Sequence, residues 1–155
     1  MMVKAVSLNG NFVLNFGPDG KGNIRSEETK LAKEIGDWMK INKEAIYGTS
    51  HSTVQKQDWG YFTQKGNKLY MCVFNRPINN LLKIEIPKGG IIPMKAYFLE
   101  NNQETEIQNA GKNKRNSSLY HVAVPASYKT DRPFVIVLEM QENTKEEGEY
   151  QQAKI

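Results

Sequence analysis

Asn11-Phe12-Val13-Leu14-Asn15-Phe16, followed by Gly17-Pro18-Asp19-Gly20-Lys21-Gly22 and then by Ser26 to Asn42, is the stretch that decides the architecture. Its first six residues are close to continuously apolar, the pattern of a strand covered on both faces, typically inside a parallel sheet. The helix after it opens at Ser26, whose hydroxyl is expected to cap orphan amides, and carries Glu27 and Glu28 where the helix dipole favours negative charge. Leu31, Ile35, Trp38 and Met39 then recur on one stripe. A strand and a helix joined by a short turn form half of a βα repeat and cannot bury both apolar faces alone. The expectation is that the chain begins inside a larger parallel architecture whose other strands lie outside these 155 residues. Without those neighbours the unit must fold back onto the rest of the chain, or two copies must pair through it as a homodimer.

Downstream of Tyr47 the period changes. The composition shifts across Gly48 to Gly60, and from Tyr61 onward apolar residues alternate, with turn residues every few positions. Tyr61–Gln64 and Lys68–Phe74 flank Gly66-Asn67, a two-residue hairpin signal because both residues tolerate positive φ. Leu69, Met71 and Val73 should face one way, with Tyr70, Cys72 and Phe74 the other. Leu82, Ile84 and Ile86 alternate with Lys83 and Glu85. Further strands are predicted at 93–99, 104–108, 119–124 and 134–140. Seven short strands with frequent turns predict an antiparallel β-sandwich. The fold class is therefore mainly β, with an N-terminal strand–helix unit. The division is 1–48 for that unit, 49–60 for a linker, 61–140 for the sandwich and 141–155 for a polar, flexible tail.

Composition narrows the function. The net charge of +4 arises from 21 basic and 17 acidic residues scattered along the chain. Nucleic-acid binding needs a clustered basic face, which is not indicated. The densest group, Lys112, Lys114 and Arg115, reads as a solvated loop. No run approaches the ~20 apolar residues of a membrane span, and no signal peptide is read at the amino terminus. Cys72, the single cysteine, sits in an apolar strand and reads as a buried, inert thiol.

The segment Val6 to Gly22, followed by Glu34-Ile35-Gly36-Asp37-Trp38 and Asn42-Lys43-Glu44-Ala45-Ile46-Tyr47-Gly48-Thr49, resembles the α-L-fucosidases of glycoside hydrolase family 29. The resemblance extends more loosely through Met140. It implies that residues 1–48 are the last strand and helix of a (β/α)8-like catalytic barrel, and that a carboxy-terminal β-sandwich follows. It implies also that the nucleophile, an aspartate on an earlier barrel strand, is absent here, so the chain would be inactive alone and would act within an enzyme on fucosylated glycans. The compartment is unknown from these residues; the resemblance implies a periplasmic, secreted or lysosomal parent.

Candidate chemistry is sparse. Retaining glycoside hydrolysis needs two carboxyl groups about 5–5.5 Å apart. Asp19 reads as a turn residue, Glu27 and Glu28 as helix-start charges, and Glu34 and Asp37 as solvent-facing. Because barrel enzymes place their sites at the carboxy-terminal strand ends, the resemblance puts Asn15 and Phe16 near the pocket rim of the intact enzyme as substrate-binding candidates, Asn15 toward sugar hydroxyls and Phe16 on an apolar face. Structural roles in the turn and under the helix are the alternative. The Gly17–Gly22 loop lacks the G-x-G-x-x-G spacing that opens directly into a helix, so it reads as a tight turn and not as a phosphate cradle. His51 and His121 have no ligand-type residue at metal spacing, and neither a metal nor another cofactor is expected. Trp59, Tyr61, Tyr70 and Tyr97 form either a sugar-stacking platform or core. The second functional reading is an independent carbohydrate-binding or protein-interaction sandwich module.

Overall fold

A computed structural model describes residues 1–141 in three layers: helices, a six-stranded sheet and a three-stranded sheet. The expected tail lies, from residue 142 onward, outside the described residues. Helix α1 (Met2–Ser7) and helix α2 (Ser26–Asn42) lead into a 3₁₀ turn at Lys43–Ala45. The strands are β1 (Ser50–His51), β2 (Gly60–Lys65), β3 (Lys68–Val73), β4 (Leu81–Ile86), β5 (Pro93–Phe98), β6 (Glu104–Thr105), β7 (Ile107–Lys112), β8 (Ser118–Ala123) and β9 (Phe134–Met140). One sheet runs β1-β2-β3-β9-β5-β6 and the other β4-β8-β7, every pairing antiparallel. The expected mainly-β sandwich is therefore present.

Alternation along each strand builds this arrangement. Leu69, Met71 and Val73 of β3 meet Leu82, Ile84 and Ile86 of β4 in the core between the sheets, with Phe98, Val122 and Ile136. The opposite face of β3, Tyr70 and Cys72, is buried with Val135 and Val137 beneath Val3, Ala45 and Ile46 of the helical layer. That double burial is why β3 and β9 are apolar at nearly every position. The β2–β3 hairpin closes through Gly66, at φ 57°, and Asn67, with Lys65 opposite Lys68. Only Gly66 takes a positive φ, as a turn with glycine at its first central position requires.

Three local expectations are revised. Asn11–Phe16 forms no strand: it runs between α1 and α2 without a ladder, and Val13 is 77% exposed. A strand exists only by pairing, and no described strand pairs with this segment. Ser26 is the first residue of α2 rather than its cap; Arg25 holds the cap position, and no side chain bonds the free amides. The 104–108 strand divides, Ala96 pairing Thr105 in one sheet and Ile107 pairing Val122 in the other. The Thr105 hydroxyl donates to the Ala123 carbonyl at 2.6 Å across the corner where the chain changes sheets.

Helix α2 does fold back. The Trp38 indole N–H donates to the Pro133 carbonyl at 2.7 Å, and Trp38 and Met39 pack on the cluster beneath the helices. Toward its amino-terminal end the same stripe is open, Leu31 being 47% exposed. The segment 49–60 is not bare linker, since it contributes β1, which pairs with Thr63 and Gln64.

Candidate functional site

The Gly17–Gly22 loop folds as the tight turn expected. Asp19 Oδ1 accepts from the backbone amides of Lys21 and Asn23 at 2.8 and 2.9 Å, and Gly22 turns at φ 85°. Those bonds, Asn23 first and then Lys21, hold the Asp19 carboxyl below its usual range. The carboxylate thus occupies amides that a phosphate would need.

Asn15 is exposed and Phe16 partly buried on the segment before this turn. Neither side chain hydrogen-bonds another described residue, and neither is part of the groove that their neighbours line. Those neighbours are Phe12 and Leu14: with Leu31, Ile35, Trp38 and Phe74 they line an apolar groove of about 630 Å³ between α2, the amino terminus and the sandwich. This is the open part of the helix stripe and the unpaired apolar segment brought together on one face.

The acidic side chains are dispersed, and several hold separate basic partners. Asp37 bonds Lys33 and Lys40, both at 2.9 Å, and the Lys40 and then the Lys33 contact draws its pKa down to about 2. Arg25 pairs Glu28 at 3.1 Å, and Lys95 pairs Glu104 at 2.7 Å. Among the described residues no group of three or more His, Cys, Asp or Glu is placed to hold a metal ion. No described helix is long and apolar enough to cross a membrane. Cys72 is fully buried, and burial pushes its thiol up to about 12, which suppresses the nucleophilic thiolate.

The aromatic residues divide by burial. Trp59 is 4% exposed and its indole N–H donates to the Lys83 carbonyl at 2.8 Å, joining the two sheets. Tyr70 and Tyr97 are buried under the helical layer, and Tyr61 alone remains partly open, edge-on to Phe74 at 6.1 Å. These four rings form no common platform. His121 lies on β8 opposite Lys83 and Gln108, and His51 on β1.

One charged cluster docks the 3₁₀ turn onto the sheet. The Tyr70 hydroxyl donates to Glu44 Oε1 at 2.7 Å and Lys68 Nζ reaches the same oxygen at 3.1 Å. The Tyr70 bond first, then that of Lys68, holds the Glu44 carboxyl below its usual 4.5. A depressed carboxyl contributes stability above its unfolded pKa, and this contribution is lost as pH falls through the folded value. Glu44 is 43% exposed, so solvent screening keeps the contribution small. Tyr70→Phe should therefore destabilise the protein near neutrality and lose less on acidification than wild type. Melting temperatures followed from pH 6 to about 3 measure this; parallel curves would show that Glu44 is not the coupled group.

Sequence reasoning missed Arg76. Its Nε donates to Asn80 Oδ1 at 2.8 Å, Nη1 to the Tyr128 carbonyl at 2.5 Å, and Nη2 to the Val124 and Pro125 carbonyls at 3.2 and 2.9 Å. Most of these acceptors are main-chain atoms about fifty positions downstream, and no local pattern signals them.

Comparison with known proteins gives this geometry a context. The profile of the family described as Alpha-L-fucosidase matches residues 1–44. An alpha-L-fucosidase of Dictyostelium discoideum is 37% identical over 93 residues, covering 57% of this chain and 20% of that protein. The tissue alpha-L-fucosidase of Homo sapiens is 35% identical over 91 residues, covering 56% and 19%. The solved GH29 alpha-L-fucosidase of Bacteroides thetaiotaomicron, trapped as a covalent intermediate in complex with 2-fluoro-fucosyl fluoride, superposes with a TM-score of 0.79 at 38% identity. That match covers 90% of this chain and 31% of the solved one. The chain spans about a fifth of the length of the curated relatives it matches and about a third of the solved enzyme.

Proposed function

Because this chain is related over most of its length to the α-L-fucosidases of glycoside hydrolase family 29, we propose that it is the accessory part of an α-L-fucosidase-like glycoside hydrolase. In this reading residues 1–48 complete a catalytic barrel, 49–60 link it onward, and 61–140 form the carboxy-terminal sandwich. Retaining hydrolysis of α-L-fucosides in fucosylated glycans is then carried out by carboxylates from another segment. A covalent intermediate, as trapped in the Bacteroides relative, is what a retaining mechanism forms on its nucleophile. The single observation that supports the accessory role is the apolar groove beside Phe12 and Leu14. A segment with the sequence of a doubly covered strand lies there unpaired, next to an uncovered helix stripe. Strands of a barrel packed on that face would cover both, and would place Asn15 and Phe16 at the strand end where such enzymes bind substrate. The same face is the one through which two copies would pair.

The test is direct. Purified chain incubated with a nitrophenyl α-L-fucoside is expected to release nitrophenol no faster than buffer. Turnover that disappears when one of the chain's own carboxylates, such as Asp19 or Glu44, is changed to its amide would overturn the proposal. The independent-module reading lacks its platform, since Trp59 is spent on the core.

A further inference from the structure

A second groove, of about 710 Å³, runs between α1 and the β1–β2 edge of the larger sheet. Its size is within the roughly 300–1,000 Å³ of small-molecule sites. The buried Val54 and Phe62 and the exposed Leu8 are its apolar lining, and Tyr61 adds an aromatic ring. Polar groups converge on it from separate segments: Lys4 from α1, Asn9 after it, His51 from β1, and Gln55 and Lys56 from the following loop. None of these side chains bonds another described residue; the hydrogen bonds of this region run instead through Ser7, Ser52 and Gln57. The charge is one-sided, with two ammonium groups and no Asp or Glu in the lining. Like most of the described lysines, Lys4 and Lys56 hold no carboxylate; what sets them apart is that the two share one groove lining with no acid in it.

We propose that this groove binds an acidic saccharide, with its sulfate or carboxylate against Lys4 and Lys56 and a sugar ring along Tyr61. Asn9, His51 and Gln55 then meet ring hydroxyls, because amide and imidazole groups both donate and accept. An aromatic side chain offers an apolar body to the C–H face of a pyranose. The charge complementarity supplies the commitment to an acid-bearing ligand. The site uses other residues than the groove beside Phe12, and the fucoside assay does not bear on it.

Titration calorimetry of the full chain tests this with three probes: a heparin-derived hexasaccharide, a hyaluronan hexasaccharide and neutral cellohexaose. Binding of an acidic probe without binding of cellohexaose is expected, and hyaluronan, which carries carboxylates but no sulfate, tells the two acid groups apart. Lys4→Gln with Lys56→Gln, both on exposed side chains, should weaken that binding about tenfold or more, about 1.4 kcal/mol, with an unchanged circular dichroism spectrum. Lys112→Gln with Lys114→Gln, on the other basic loop, should leave it intact. Silence with both acidic probes, equal binding of cellohexaose, or a loss that follows the loop variant would overturn the assignment.

Discussion

Gly60→Ala is expected to disrupt the six-stranded sheet at its β2–β3 seam. A Cβ built on Gly60 would overlap the Cys72 carbonyl oxygen and stand 3.1 Å from that carbonyl's carbon and 3.4 Å from the Val73 Cα. The obstacle is backbone, which cannot rotate aside as a side chain end would. Gly60 pairs with Val73 in the ladder and exchanges both backbone bonds with Gln57, at 3.1 Å each, so moving it opens two connections together. Its neighbour Trp59 holds the two sheets through Lys83. A loss of roughly 3–5 kcal/mol is expected, in the range reserved for named severe mechanisms. Gly36→Ala is the matched control. Nothing lies within 4 Å of a Cβ there, and alanine in a helix interior should gain about 0.5–1 kcal/mol. Urea melts of both variants decide the matter: a Gly60 variant within error of wild type would refute the close-approach argument.

Arg76→Lys carries the second large effect. Four donors of one guanidinium hold the turn at Asn80, itself at φ 57°, and the carbonyls of Val124, Pro125 and Tyr128. The Tyr128 ring is stacked on Phe98 at 4.2 Å and edge-on to Phe134 at 5.1 Å. Loosening the 125–128 loop therefore reaches the core. Lysine keeps the charge but has no planar fork to serve carbonyls in different directions. The substitution should cost about 2–3 kcal/mol from lost charge-assisted bonds and unpaired acceptors, seen as a drop of about 5–15 °C in melting temperature. A shift no larger than that of a surface lysine substitution would show that the guanidinium is not what pins this loop.

The contrast between Arg76 and β3 shows what could be read without coordinates. Leu69, Met71 and Val73 alternate with Tyr70 and Cys72, and that local period assigned both faces correctly because strand geometry turns successive side chains outward and inward. Arg76 sits among Asn, Pro and Ile with nothing local to reveal it, since its acceptors are carbonyls brought near only by the packing of distant loops. Asn11–Phe16 is the opposite case. Its composition predicts a doubly covered strand, but a strand forms only where a ladder partner is paired with it, and no described strand pairs here. The groove of Lys4, His51 and Lys56 was likewise out of reach. His51 on its own, lacking any ligand-spaced neighbour, gave no sign that α1 would lie across it.

The amino-acid order alone determined the alternating strands, the Gly66 hairpin, the Asp19 turn and the amphipathic α2, because each depends on interactions within a few residues. Tertiary structure decided which sheet each strand joined, that residues 104–108 divide between two of them, that Trp38 seats on Pro133, and that Asn11–Phe16 stays unpaired. Those outcomes depend on pairing and packing between segments far apart along the chain, where a favourable local pattern forms only if its complement is within reach.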